Sequence, residues 1–143
     1  MATDRDLAEQ LLRRAGEDLV AVEEMVPLES VADAIVGFHA QQAVEKSLKV
    51  VLAARGVEFP FIHDIDGLTS LCEGAGASLP DELDGADRLM PYAAGLRYDD
   101  DTVGGVDRKT ALRWATAAVR WARELVEQEE RSEDQISDAG DSQ

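Results

Sequence analysis

Residues 38–56 read FHAQQAVEKSLKVVLAARG, and the fold turns on how this run is read. It has no proline, it ends on a glycine, and its residue types recur at intervals of three and four. Helical spacing puts His39, Gln42, Lys46 and Lys49 along one polar stripe. Val36, Ala40, Ala43, Ser47 and Val50 line one side of that stripe, mostly small residues that allow another helix to come close. Phe38, Gln41, Glu45, Leu48 and Leu52 line the other. The spacing predicts a long helix, with Ser30 as its N-cap, Asp33 in the capping-box position and Gly56 as its terminator.

The flanking segments extend the helical reading. Leu7, Leu11, Ala15, Leu19, Val22 and Val26 make residues 4–26 amphipathic, and Pro27 stops that helix. VEFPFI, residues 57–62, reads as an extended connection. A short helix is expected from about Asp64 to Cys72, with His63 as a candidate cap, and another with Pro80 in its first turn and Pro91 near its end. LRYDDDTVGGVD is a loop, and Asp107 caps a last long helix to about Glu127. Residues 128–143 lack apolar periodicity and are expected to form a disordered acidic tail. The fold class is therefore all-α, an antiparallel bundle of about five helices over residues 1–127.

Composition narrows the function classes. The 143 residues carry 30 acids against 14 Lys plus Arg, a formal charge of −16. Residues 127–143 supply −6 of this with seven acids and one Arg, and 58–87 contain eight acids and no base. Arg108, Lys109, Arg113, Arg120 and Arg123 fall in a stretch with no acid at all. The acidity excludes a general coat for nucleic acid but leaves room for a local anion site. No stretch approaches the roughly 18 apolar residues of a membrane span. The start, MATDRDLAEQ, lacks a signal pattern, so a cytoplasmic location is expected. A lone cysteine, Cys72, is read as a buried inert thiol. Paired Glu-x-x-His motifs, an EF-hand loop and a Gly-rich phosphate loop are absent, so no metal and no cofactor are expected. Trp114, Ala118, Trp121 and Leu125 form one stripe, read as core rather than as a base-stacking platform. Arg113, Arg120 and Arg123 are candidates for an anionic contact, or else pair with the acids of 58–87.

The run FHAQQAVEKSLKVVLAARGVEFPFIHDIDGL, residues 38–68, resembles the HEPN domain. The match rests on His39, Gln41, Gln42, Ala43, Glu45, Lys46, Leu48, Lys49, Gly56, His63 and Asp64, with Leu96-Arg97-Tyr98 as a second piece. The resemblance implies a helical bundle that is often a homodimer. It also implies a link to nucleotide or RNA biology, with a small nucleotidyltransferase as a frequent partner and, in some pairs, a toxin–antitoxin relation. Catalytic members carry Arg, four to six residues, then His. The positions that would satisfy this hold Ala32, Asp33 and Ala34 before His39, and Gly56, Val57 and Glu58 before His63. Arg55 misses by one position.

The leading expectation is therefore a non-catalytic module that binds a nucleotide or RNA segment or docks a nucleotidyltransferase-type partner. His39, Gln42, Lys46 and Lys49 would form the contact row, with Arg97 and Tyr98 beside it. The alternative is a metal-independent ribonuclease toxin using Arg97 or Arg55 with His63 or His39. A third reading is a helical assembly module with no nucleotide role.

Overall fold

The computed structural model describes residues 2–59, 61–94 and 105–141, with side chains over 4–59, 61–93 and 105–136. The described residues form four α-helices: α1 (Ala2–Met25), α2 (Asp33–Ala54), α3 (Ile65–Gly74) and α4 (Arg108–Asp141). Two 3₁₀ segments, Asp81–Leu83 and Ala86–Ala94, lie between α3 and α4. Among the described residues there is no strand, and no helix is long and apolar enough to cross a membrane.

Helix α2 is the hub and packs against α1, α3, α4 and the second 3₁₀ segment. Its small-residue edge is used inside the chain: Val36, Ala40, Ala43 and Ser47 are all buried. Contacts at the helix ends give the directions. Arg108, at the start of α4, reaches the end of α1, and Arg5, at the start of α1, pairs with Glu130 and Glu133. Asp33 meets Arg108 and Arg55 meets Glu129, so α2 and α4 run parallel and α1 runs antiparallel to both.

The helix ends show which local signals prevailed. At the end of α2, Gly56 has φ 69°, Gly56 N–H donates to Ala53 O, and Val57 N–H donates to Leu52 O. That is a Schellman ending, and glycine meets its left-handed position without a Cβ penalty. The start of α2 differs from expectation, since Ala32 rather than Ser30 is the N-cap and no side chain caps it. The physical reason is Arg108. Its guanidinium donates to the carbonyls of Met25 (3.0 Å), Val26 (3.2 Å), Leu28 (3.0 Å) and Val31 and to Asp33 Oδ1 (2.6 Å). One cation thus closes the α1 C-terminus and holds Asp33, which a capping box with Ser30 would have needed.

His63 does not cap α3; Asp64 does, accepting from Gly67 N–H at 2.7 Å. The helix expected after Pro80 is two 3₁₀ segments instead, with Pro91, which has no N–H to donate, inside the second. Asp107 caps α4 as expected, accepting from Thr110 N–H (2.8 Å) and Thr110 Oγ1 (3.0 Å). Those bonds hold the Asp107 carboxyl below the usual carboxylate range. The tryptophan stripe is core: Trp114 Nε1 donates to Asp84 O and Trp121 Nε1 to Ser78 O, pinning the 3₁₀ region onto α4. The boundary at 127 marks the end of burial rather than the end of the helix. Among the described residues Val126 is the last buried side chain, and the backbone stays helical to Asp141.

Two predictions test this framework. Tyr92 is 4% exposed and its ring lies over Gly37, where an added Cβ would stand 2.4 Å from Cδ1. Gly37→Ala is expected to destabilise the fold by about 1–3 kcal/mol in urea denaturation, because the ring must shift in a packed interior. Asp107 contributes stability that is present above its ordinary pKa of 3.8 and is lost as pH falls through its lower folded value. Asp107→Ala is therefore expected to lower Tm at neutral pH and to flatten the acid limb of the stability profile.

Candidate functional site

The polar stripe of α2 is partnered from within. Asp18, 9% exposed on α1, accepts from Lys46 Nζ at 2.6 Å and lies 3.0 Å from His39 Nδ1. Next to Lys46 on α2, Glu45 is 8% exposed and accepts from Gln41 Nε2 and Lys49 Nζ, each at 3.0 Å. Gln42 Nε2 donates to Gln41 Oε1 at 2.7 Å, and Lys49 Nζ also lies 3.1 Å from His63 Nδ1. The result is a hydrogen-bonded chain from Gln42 through Gln41, Glu45 and Lys49 out to His63. Each lysine of the row has its own carboxylate, so the stripe holds little uncompensated positive charge for a phosphate. Among the described residues, only the Ser47 hydroxyl is a buried side-chain polar atom without a partner.

Among the described residues, Arg55, His39 and His63 do not converge. Arg55 Nη1 donates to Ala75 O at 2.9 Å, and its Nε lies 3.5 Å from Glu129, which ties the ends of α2 and α3 to α4. His63 faces Lys49 and, at 3.9 Å, Glu45. His39 is held by Asp18 and packs edge-on against Phe38. No described hydrogen bond or ion pair joins an arginine to either histidine. Arg97 and Tyr98 lie outside the described residues.

The outer end of the chain opens into a groove of about 550 Å³ between the start of α1 and the loop after α2. Leu7, Val57, Phe59 and Phe61 give it apolar walls, Lys49 and His63 a polar end, and Asp4 and Glu58 an acidic rim. Lys49 Nζ sits 5.9 Å from the Phe59 ring centroid, a cation–π contact. Phe61 is the outlier: it is 94% exposed, and its φ of 66° puts a non-glycine residue in the left-handed region. Sequence reasoning put Lys49 in the contact row and His63 among the cap and ribonuclease candidates without joining them, and it missed this aromatic pair, treating VEFPFI only as a connection. Two phenylalanines flanking a proline in a surface loop were the available signal.

Other features fit less well. A cleft of about 610 Å³ by the 3₁₀ region is lined by Asp66, Glu73, Asp81, Asp84 and Asp87 without a base, and its apolar floor of Val44, Leu48 and Ile65 is fully buried. Cys72 is buried, with its Sγ 3.5 Å from Leu48 O, and burial pushes its thiol up to about 12, which makes it unreactive at neutral pH. Among the described residues, no group of three or more His, Cys, Asp or Glu could hold a metal ion.

Residues 8–132 match the HEPN domain family, most of the chain. No curated protein and no solved structure matches it.

Removing Asp18 tests the inner half of the network. Asp18→Ala leaves Lys46 and His39 without their shared acceptor and is expected to cost about 1–3 kcal/mol in urea denaturation. Lys46→Met in the same chain is expected to recover part of that loss, since the unpaired cation is then gone.

Proposed function

This chain belongs to the HEPN family, and from that premise we propose that it is a non-catalytic docking module that seats a protein partner in the groove beside Phe61. The observation that carries this reading is Phe61 itself, an almost fully exposed aromatic held in a strained backbone at the mouth of an apolar groove. Left-handed backbone costs a non-glycine residue roughly 1–2 kcal/mol, so the fold supports a conformation that presents this ring to solvent at its own expense. Burying such a ring contributes about 1.5–3 kcal/mol to association, the scale of an interface anchor.

Charge selects the kind of partner. The rim carries Asp4 and Glu58, and Lys49 is already paired with Glu45. A phosphate chain entering the groove would meet more carboxylates than free cations. A protein segment with an apolar side chain flanked by Lys or Arg would fill the groove and pair with the rim. The nucleotidyltransferase-type protein implied by the resemblance is the partner class to try first, as one half of a two-component pair. The ribonuclease alternative gains no support from the geometry, because no arginine meets His39 or His63 among the described contacts.

The test is co-purification with the product of the adjacent reading frame, comparing the native chain with Phe61→Ser and with Asp4→Lys/Glu58→Lys. Both variants are expected to lose the complex. Phe61→Gly is expected to lose it too while gaining about 1 kcal/mol of stability, since glycine relieves the left-handed backbone. Absence of a complex with the native chain, or one that survives Phe61→Ser, overturns the proposal. Labelled RNA in EDTA is expected to stay intact. Cleavage that disappears in His39→Ala or His63→Ala would replace docking with catalysis.

A further inference from the structure

The polar end of the Phe61 groove has a fixed hydrogen-bonding sense. Lys49 Nζ lies 3.1 Å from His63 Nδ1 and 3.0 Å from Glu45 Oε2. An ammonium has only donors, so the lysine donates and Nδ1 accepts. A neutral imidazole carries one proton, and with Nδ1 accepting, that proton sits on Nε2. Among the described contacts Nε2 has no partner, and the His63 side chain is 71% exposed. The groove therefore ends in an N–H donor whose tautomer is set by the lysine behind it. Glu45 balances the charge of Lys49, so this end offers donors without net charge. The rim has the opposite requirement, because Asp4 and Glu58 call for cations. Leu7, Val57, Phe59 and Phe61 supply apolar walls between the two.

Resting on the docking role above, we propose that the occupant of this groove is the C-terminal end of a partner's helix. The last four carbonyls of a helix have no partner within it and form the negative pole of its dipole, which is met by donors and needs no full cation. The same dipole favours Lys and Arg in the last turn, and a helix that closes on glycine places an apolar side chain just beyond its cap. These three features match the three parts of the groove. The carbonyls accept from His63 Nε2–H, the last-turn cations pair with Asp4 and Glu58, and the apolar side chain packs against Phe61 and its neighbours. Other occupants leave one part unmet. A helix N-terminus would bring N–H groups against the His63 donor. A free C-terminal carboxylate would add a full negative charge close to Glu45, Asp4 and Glu58. A mid-helix segment has its carbonyls already bonded along the helix, so the His63 N–H would go unanswered.

The probe is a synthetic, amidated helical peptide with Lys and Arg in its last turn followed by Gly and Leu, titrated by fluorescence anisotropy into the full chain. Binding is expected with a dissociation constant below about 1 mM. Moving the Lys and Arg to the first turn, or replacing them by Glu, is expected to weaken binding about tenfold or more. The free-acid form is expected to bind no more tightly than the amide. His63→Phe keeps a ring but removes the donor, and affinity is expected to fall roughly tenfold. His63→Gln, which restores an N–H, is expected to recover part of that loss. Nitrogen-15 NMR of the native chain at about pH 8 is expected to find neutral His63 protonated on Nε2. No binding by the probe, equal binding by the first-turn peptide, tighter binding by the free acid, or a proton on Nδ1 overturns the proposal. Phe61→Ser tests docking itself. A co-purified complex that is lost in Phe61→Ser but keeps its full affinity in His63→Phe leaves docking standing and overturns the helix end, whereas one that survives Phe61→Ser overturns both.

Discussion

Two carboxylates, Asp18 and Glu45, determine whether α2 can occupy the middle of the bundle. A hub helix contacted from several sides should be apolar almost all round, yet α2 carries two lysines, a histidine and two glutamines. Buried cations without partners would oppose packing by several kcal/mol each. Asp18 reaches across from α1 to hold Lys46 and His39, whereas Glu45 holds Lys49 along α2 itself. The first contact fixes the rotation of α1 on α2. The second keeps the next turn of α2 neutral and hands the remaining hydrogen bond to His63, outside the helix. Everything at the groove end depends on that handover, because Lys49 is held against Phe59 while it spans Glu45 and His63.

Much of the fold could be read from the sequence because its signals are local. Gly56 stops α2, Asp107 caps α4 and Pro27 follows α1, each through backbone chemistry confined to one turn. The start of α2 could not be read in this way. Ser30 and Asp33 form a sound capping pattern locally, and a residue 75 positions away, Arg108, takes Asp33 instead. The polar stripe shows the same limit. Spacing aligned His39, Gln42, Lys46 and Lys49 correctly, but the partner that occupies two of them, Asp18, sits on α1 as one acid among many. The exposed Phe61 was hidden for another reason: its importance lies in a backbone angle and an exposure, and neither has a sequence period.

The net charge of −16 is less uniform than it looks. Some carboxylates are structural and shielded, as Asp18 and Glu45 are at 9% and 8% exposure. Others rim clefts, and a third set lies on the outer half of α4, after Val126. Arg5, half-exposed, ties Glu130 and Glu133 back to α1, and Arg55 ties Glu129 back to α2.

These groups answer to solvent differently. The Asp18 and Glu45 pairs lie where salt screens poorly, so they hold the helices together across ionic conditions. The Arg5 and Arg55 pairs lie at the surface, where each contributes little and weakens with salt. The outer half of α4 is also acidic at its C-terminus, the end where the helix dipole disfavours negative charge. With no buried side chain past Val126 among the described residues, its helical state rests on those few surface pairs and on whatever cations approach from outside. The bundle is thus built to be constant, and the α4 extension is built to respond to its surroundings.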